Sequence, residues 1–298
     1  MRLASVTDDQ RSWVGCVDSA GSSIREVRVP VGDESRLGNL RDPAIRCIQH
    51  QINGGSLDPI GDAVPLSSVR LLPPVRWPSK NVICVGKNYR DHAAEFTGSG
   101  YDSSASDESD IIPGDPIIFS KAACCLIGAN DDVQVPWSLS NEIDYEAELG
   151  LVIGRGGRNI SPETAFAHVW GYTVVNDVTA RDLQSRHKQW LLGKSIDTFC
   201  PAGPWIVSAD DLDPEDLELK CWVNGELRQS ANTKDLIFDI PRIISAVSAS
   251  MTLETGDIIA TGTPAGVGIG FSPPRFLQKG DVVSVEIGGI GTIANRVT

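Results

Sequence analysis

The chain has 298 residues, with 26 Lys and Arg against 39 Asp and Glu and a formal net charge of −13. Its 41% hydrophobic and 22% charged residues describe a folded protein rather than a disordered one, long enough for one or two domains with a sizeable core. The acidic surplus argues against a nucleic-acid backbone or an anionic membrane face as partner.

No apolar run approaches the ~18 residues of a transmembrane helix, and the first residues lack the apolar core of a secretory signal. The seven cysteines are scattered without CxxC spacing. That pattern points to reduced thiols in a cytoplasmic protein rather than to a disulfide or zinc scaffold.

Short strands are expected at Arg2–Val6, Trp13–Val17 and Ile24–Val29, broken by Asp-Asp and Gly-Ser turns. Asp42 then caps a helix that Pro43 opens, with Ile45, Ile48 and Ile52 at helical spacing and Gly54-Gly55 as its stop. A proline-rich crossing segment at 65–79 suggests a small N-terminal domain over residues 1–75 and a larger domain over 76–298.

In the larger domain, 81–86 reads as a buried strand. Residues 97–115, rich in Gly, Ser and Asp, read as a surface loop placed to act as a lid. Further strands are expected at Ile143–Ile153, Val169–Val175, Asp257–Ala260 and Val282–Ile287. Asn224-Gly225 marks a type I′ hairpin, and Asp239 caps a helix carrying Ile240, Ile243, Ile244 and Val247 on one face. Helices do not alternate with strands, so the expected class is α+β, mostly β, built as a mixed sandwich or roll rather than a Rossmann fold or TIM barrel.

The main chemical signal is Asp144-Tyr-Glu146-Ala-Glu148 at the head of an apolar run. On a strand, Glu146 and Glu148 share a face. Taken alone, the fragment reads as a solvated strand face. A second apolar run, 169–175, ends abruptly in Asn176-Asp177, and a carboxylate at the end of a buried strand is where a scaffold displays chemistry. Glu146, Glu148 and Asp177 together offer three hard oxygen donors, suited to Mg²⁺, Mn²⁺ or Ca²⁺ and ill suited to zinc.

Arg181 and Lys194 offer the positive charge an anionic substrate needs, though a lone surface cation is more often a salt-bridge partner. His92 and Glu95 are three apart and meet on a helix, as a general base and its orienting carboxylate do. An apolar strand, 116–121, ends in Lys121. The Gly-rich loop 261–268, with Thr263, has hydroxyls and backbone N–H groups fit to hold a carboxylate. It has neither the Gly-Lys-Ser/Thr ending of a nucleotide P-loop nor the βαβ setting of a dinucleotide site.

In this order and spacing, the segments CVGKNYRDHAAE (84–95), PIIFSK (116–121), DYEAELGLVIG (144–154), WGYTVVNDVTARDLQ (170–184), GKSIDTFCPAGP (193–204), VNGELRQ (223–229) and TGTPAGVG (261–268) resemble the fumarylacetoacetate hydrolase family. The resemblance spans residues 80–295. It implies a mixed β-sandwich roll, a homodimer, and Mg²⁺ or Mn²⁺ (or Ca²⁺) on Glu146, Glu148 and Asp177.

It also implies that His92 with Glu95 activates water, that Lys121 and Lys194 face the substrate carboxylate and developing enolate, and that Arg181, Gln184 and Thr263 contact substrate. Where a mammalian member carries a further acidic ligand, this chain has apolar Val85. The implied activity is a metal-dependent hydrolase cleaving a C–C bond in an acylpyruvate-like 2-oxo acid. The same enolate chemistry also serves a decarboxylase, tautomerase or isomerase of an oxaloacetate or dienoate diacid. A metal-binding protein without turnover is the remaining alternative.

Overall fold

The computed structural model describes residues 1–8, 10–30, 41–102 and 111–298. Residues 103–110 of the expected lid lie outside the described residues. Among the described residues two large sheets organise the chain, beside a two-stranded pairing of Ile143–Asp144 with Thr179–Ala180. The larger has twelve strands, and its main path runs Val64–Pro65, Ser23–Glu26, Ser12–Val17, Arg2–Thr7, Cys200–Ser208, Val169–Asn176, Ala147–Ile153, Ile258–Ala260, Val82–Gly86, Ile117–Lys121. The smaller is a four-stranded antiparallel sheet in the order Glu226–Asn232, Glu218–Val223, Val282–Ile287, Gly291–Arg296. This is the expected α+β, mostly β, sandwich.

Side-chain alternation explains how the sheets meet. Ala147, Leu149, Leu151 and Ile153 fall in one buried cluster with Leu219, Cys221, Val283 and Val285 of the smaller sheet. Val152, one step out of phase, packs instead with Ala44, Ile45 and Ile48 of the helix Pro43–Ile52. The central strand is therefore covered on both faces. The hairpin at Asn224-Gly225 has φ of 52° and 80° at those residues, as a type I′ turn requires.

The N-terminal strands extend the same large sheet, because Arg2–Thr7 pairs antiparallel with Cys200–Ser208 through Leu3 and Ile206. Among the described residues, no helix is long and apolar enough to cross a membrane.

Asp42 ties the N-terminal helix to the proline-rich crossing segment. It is fully buried. One oxygen accepts from the N–H groups of Ala44 (2.8 Å) and Ile45 (3.3 Å), and the other from those of Arg76 (2.7 Å) and Trp77 (3.0 Å). Loss of an ordinary N-cap costs about 1 kcal/mol, but here four donors, two of them buried, lose their acceptor together. Asp42→Ala is expected to lower the unfolding free energy by about 2–4 kcal/mol in urea denaturation, and Asp42→Asn, which keeps one acceptor oxygen, to recover part of the loss.

Candidate active site

Strand register brings the three carboxylates together. Ala147 pairs with Asn176 and Glu148 with Val175, so the end of one strand lies beside the start of the other. The sequence suggests a single strand over 143–153, but the chain breaks at Tyr145-Glu146, between Ile143–Asp144 and Ala147–Ile153. At this break the Glu146 N–H donates to the Asn176 side chain (3.0 Å), and the Asp177 N–H donates to the Glu146 carbonyl (2.8 Å). Glu146, Glu148 and Asp177 are all buried, with one ligand oxygen from each within 4.8 Å of the others.

Cations surround this acidic group unevenly. Lys194 Nζ lies 2.7 Å from Glu146 and 2.8 Å from Asp177. Arg181 reaches Glu146 at 2.7 Å and Asp144 at 2.9 Å. Burial pushes up on the Glu146 carboxyl, but Lys194 and Arg181 more than offset it and bring it down to about 2. Glu148 accepts only the Gly262 N–H (2.8 Å) and has no ion-pair partner among the described residues. Burial, with Asp177 and Glu146 beside it, pushes its carboxyl well above the usual carboxylate range. Three hard oxygen donors with one uncompensated charge fit a divalent cation. Glu146, Glu148 and Asp177 could hold it.

A narrow cleft opens on this group, lined by His92, Glu146, Glu148, Arg181, Gln184 and Lys194 on its polar side. Phe96, Phe119 and Trp190 form an apolar wall, with the Trp190 ring 5.0 Å from Phe119 and 5.9 Å from Phe96. His92 lies on the helix Arg90–Gly98, directly after the buried strand Val82–Gly86, and its Nδ1 is 3.4 Å from Glu95 Oε2.

The Gly-rich loop does hold carboxylates, and they are the protein's own. Gly262 N–H serves Glu148, Gly266 N–H serves both oxygens of Glu95 (3.1 and 3.2 Å), and Gly268 N–H serves Asp144 (2.6 Å). Gly262 has a φ of +102°, and a Cβ there would meet Asn88 Cβ at 2.7 Å, so no other residue allows this approach.

The expected residues take different places. Gln184 accepts from Arg181 at 3.1 Å. Thr263 lines the cleft, its hydroxyl taken by the Gln229 amide at 2.8 Å. Lys121 stands behind Asp177, 2.7 Å from Oδ1, and also donates to the backbone carbonyls of Val178 (3.0 Å) and Lys194. It is not among the residues lining the cleft.

Sequence reasoning passed over Asp144, which orients Arg181, and the Phe96–Trp190 wall. Asp144 was visible as a third acidic residue of the same motif. The wall joins residues distant in sequence and left no local signal.

Glu148→Gln keeps the shape and removes the ionisable carboxyl. It is expected to abolish divalent-cation binding in calorimetry while raising the stability of the metal-free protein by about 1–2 kcal/mol. In the metal-free wild type the raised carboxyl keeps its proton when folded and loses it when unfolded. Stability therefore falls as pH rises above the ordinary carboxylate range, and Glu148→Gln should flatten that slope in thermal melts.

The family model described as fumarylacetoacetate (FAA) hydrolase C-terminal matches residues 81–298. The oxaloacetate tautomerase YisK of Bacillus subtilis (strain 168) is 51% identical over 233 residues, covering 78% of this chain and 74% of that protein. The mitochondrial oxaloacetate tautomerase FAHD2B of Homo sapiens is 47% identical over 237 residues, covering 78% and 71%.

Among solved structures, a 2-hydroxyhepta-2,4-diene-1,7-dioate isomerase from Mycobacterium marinum has a TM-score of 0.78 at 36% identity, covering 100% of this chain and 98% of its own. A fumarylacetoacetate hydrolase from Exiguobacterium antarcticum has a TM-score of 0.80 at 41% identity, covering 100% and 99%.

The tautomerase and isomerase relatives overturn the expected hydrolase of C–C bonds and support an enzyme of isomerase type. The physical reason for the error is that cleavage and tautomerisation share the stabilisation of an enolate. The motifs encode that shared part and not the fate of the enolate. The chain belongs to the fumarylacetoacetate hydrolase family.

Proposed function

We propose that the chain is a divalent-cation-dependent keto–enol tautomerase acting on a small 2-oxo diacid of the oxaloacetate type. The observation that carries this reading is a cleft where His92, paired with Glu95, and two buried cations meet Glu146 and Glu148, with Asp177 clustered behind them. The two relatives named oxaloacetate tautomerases, at 51% and 47% identity, support the choice of reaction.

Tautomerisation removes a proton from the carbon beside the ketone, stabilises negative charge on the oxygen, and delivers a proton to that oxygen. His92 is the proton carrier. With its Nδ1–H given to Glu95, Nε2 is left as the acceptor that takes the carbon-bound proton and returns it to oxygen. Gly266 N–H holds Glu95 in place for that task. Lys194 and Arg181 set positive charge at the edge of the cleft where the oxyanion develops. A divalent cation on Glu146, Glu148 and Asp177 would supply Lewis-acid polarisation of a carbonyl. The reaction consumes no water, which suits the apolar wall of Phe96, Phe119 and Trp190.

The test follows the enol absorbance of oxaloacetate with Mg²⁺ or Mn²⁺. The wild-type protein should accelerate the exchange, and a chelator should abolish that acceleration. His92→Asn should lower kcat by about 10²-fold or more with cation affinity unchanged. Full activity after chelation, or in the His92 variant, would overturn the reading.

A further inference from the structure

Lys87 follows the strand Val82–Gly86 and lines the cleft, yet it has no place in the chemistry above. It is 3% exposed and has a φ of +53°, a left-handed conformation uncommon for a residue with a side chain. Its ammonium pairs with Asp102 and lies 3.2 Å from the Thr97 hydroxyl, which itself donates to Asp102 at 2.9 Å. It lies 5.8 Å from the centre of the Phe96 ring, and the Arg181 guanidinium lies 5.7 Å from that same ring.

The other two lining cations, Arg181 and Lys194, are committed to Asp144, Glu146 and Asp177. Lys87 makes no contact with that acidic group among the described residues. A buried Lys–Asp pair is weak evidence for a stabilising role. An ammonium has three donors, and among the described residues Thr97 and Asp102 supply two acceptors.

We propose that Lys87 binds the second carboxylate of the substrate, so that it sets the preference for 2-oxo diacids over 2-oxo monoacids, with Asp102 as its resting counter-ion. The inference rests on the tautomerase reading and deepens it. One end of a diacid lies at the acidic group with Arg181 and Lys194. The other end reaches past Phe96 to Lys87, where it competes with the Asp102 carboxylate for the ammonium. A monoacid has no group to offer there and leaves the Lys87–Asp102 pair intact.

Calorimetry with Mg²⁺ and the unreactive 2-hydroxy acids malate and lactate tests this without turnover. Lys87→Gln should cut the malate-to-lactate affinity ratio by about tenfold or more, Lys87→Arg should restore it, and Asp102→Asn should tighten malate binding. Equal losses for malate and lactate in Lys87→Gln, an unchanged ratio, or weaker malate binding in Asp102→Asn would each overturn the assignment. Oxaloacetate turnover by the wild type separates the two failures. A Lys87-dependent malate site without tautomerisation sinks the reaction and keeps the site, whereas tautomerisation with an unchanged ratio in Lys87→Gln sinks the site and keeps the reaction.

Discussion

Three carboxylates buried side by side are the constraint around which the site is built. Two like charges about 4 Å apart repel by on the order of 4 kcal/mol at an effective dielectric constant of 20, more than an ordinary hydrogen bond returns. Glu146, Glu148 and Asp177 are therefore held by a frame that supplies opposite charge or aligned N–H groups at nearly every oxygen. Glu148 is the exception. Buried with no ion-pair partner among the described residues, its carboxyl is the structural reason to expect a divalent cation there.

The Gly-rich loop shows how backbone serves the same end. Its N–H groups reach Glu148, Glu95 and Asp144, which belong respectively to the acidic group, the His92 pair and the Arg181 support. One loop thus ties together three parts of the cleft and its surround. Only a residue without a Cβ lets Gly262 approach Asn88 closely enough for this. Asn88 in turn donates to the carbonyls of Phe238 (3.0 Å) and Thr261 (2.7 Å), so the loop and the Val82–Gly86 strand end are locked together.

The sheet supplies the rigidity this arrangement needs. The strand carrying Glu148 is packed on one face against the smaller sheet and on the other against the N-terminal helix, so the carboxylates have little room to relax apart. Asp42 holds that helix to the crossing segment that leads into the Val82–Gly86 strand.

Much of this was legible in the sequence for local reasons. Hydrophobic runs located the strands, Asp42 and Asp239 marked helix starts by their capping chemistry, and Asn224-Gly225 specified its turn because both residues tolerate positive φ. The spacing of Glu146 and Glu148, the His92–Glu95 interval and the ordered motifs marked the site and the family. Tertiary structure alone decided the rest. The register of 147 against 176 put Asp177 beside Glu146, burial of Lys121 set it behind Asp177 and away from the cleft, and the glycine N–H groups were turned onto the protein's own carboxylates. Local sequence encodes backbone preference and side-chain chemistry. Which charges end up as neighbours depends on pairings between residues far apart in the chain, and those are settled only when the whole sandwich packs.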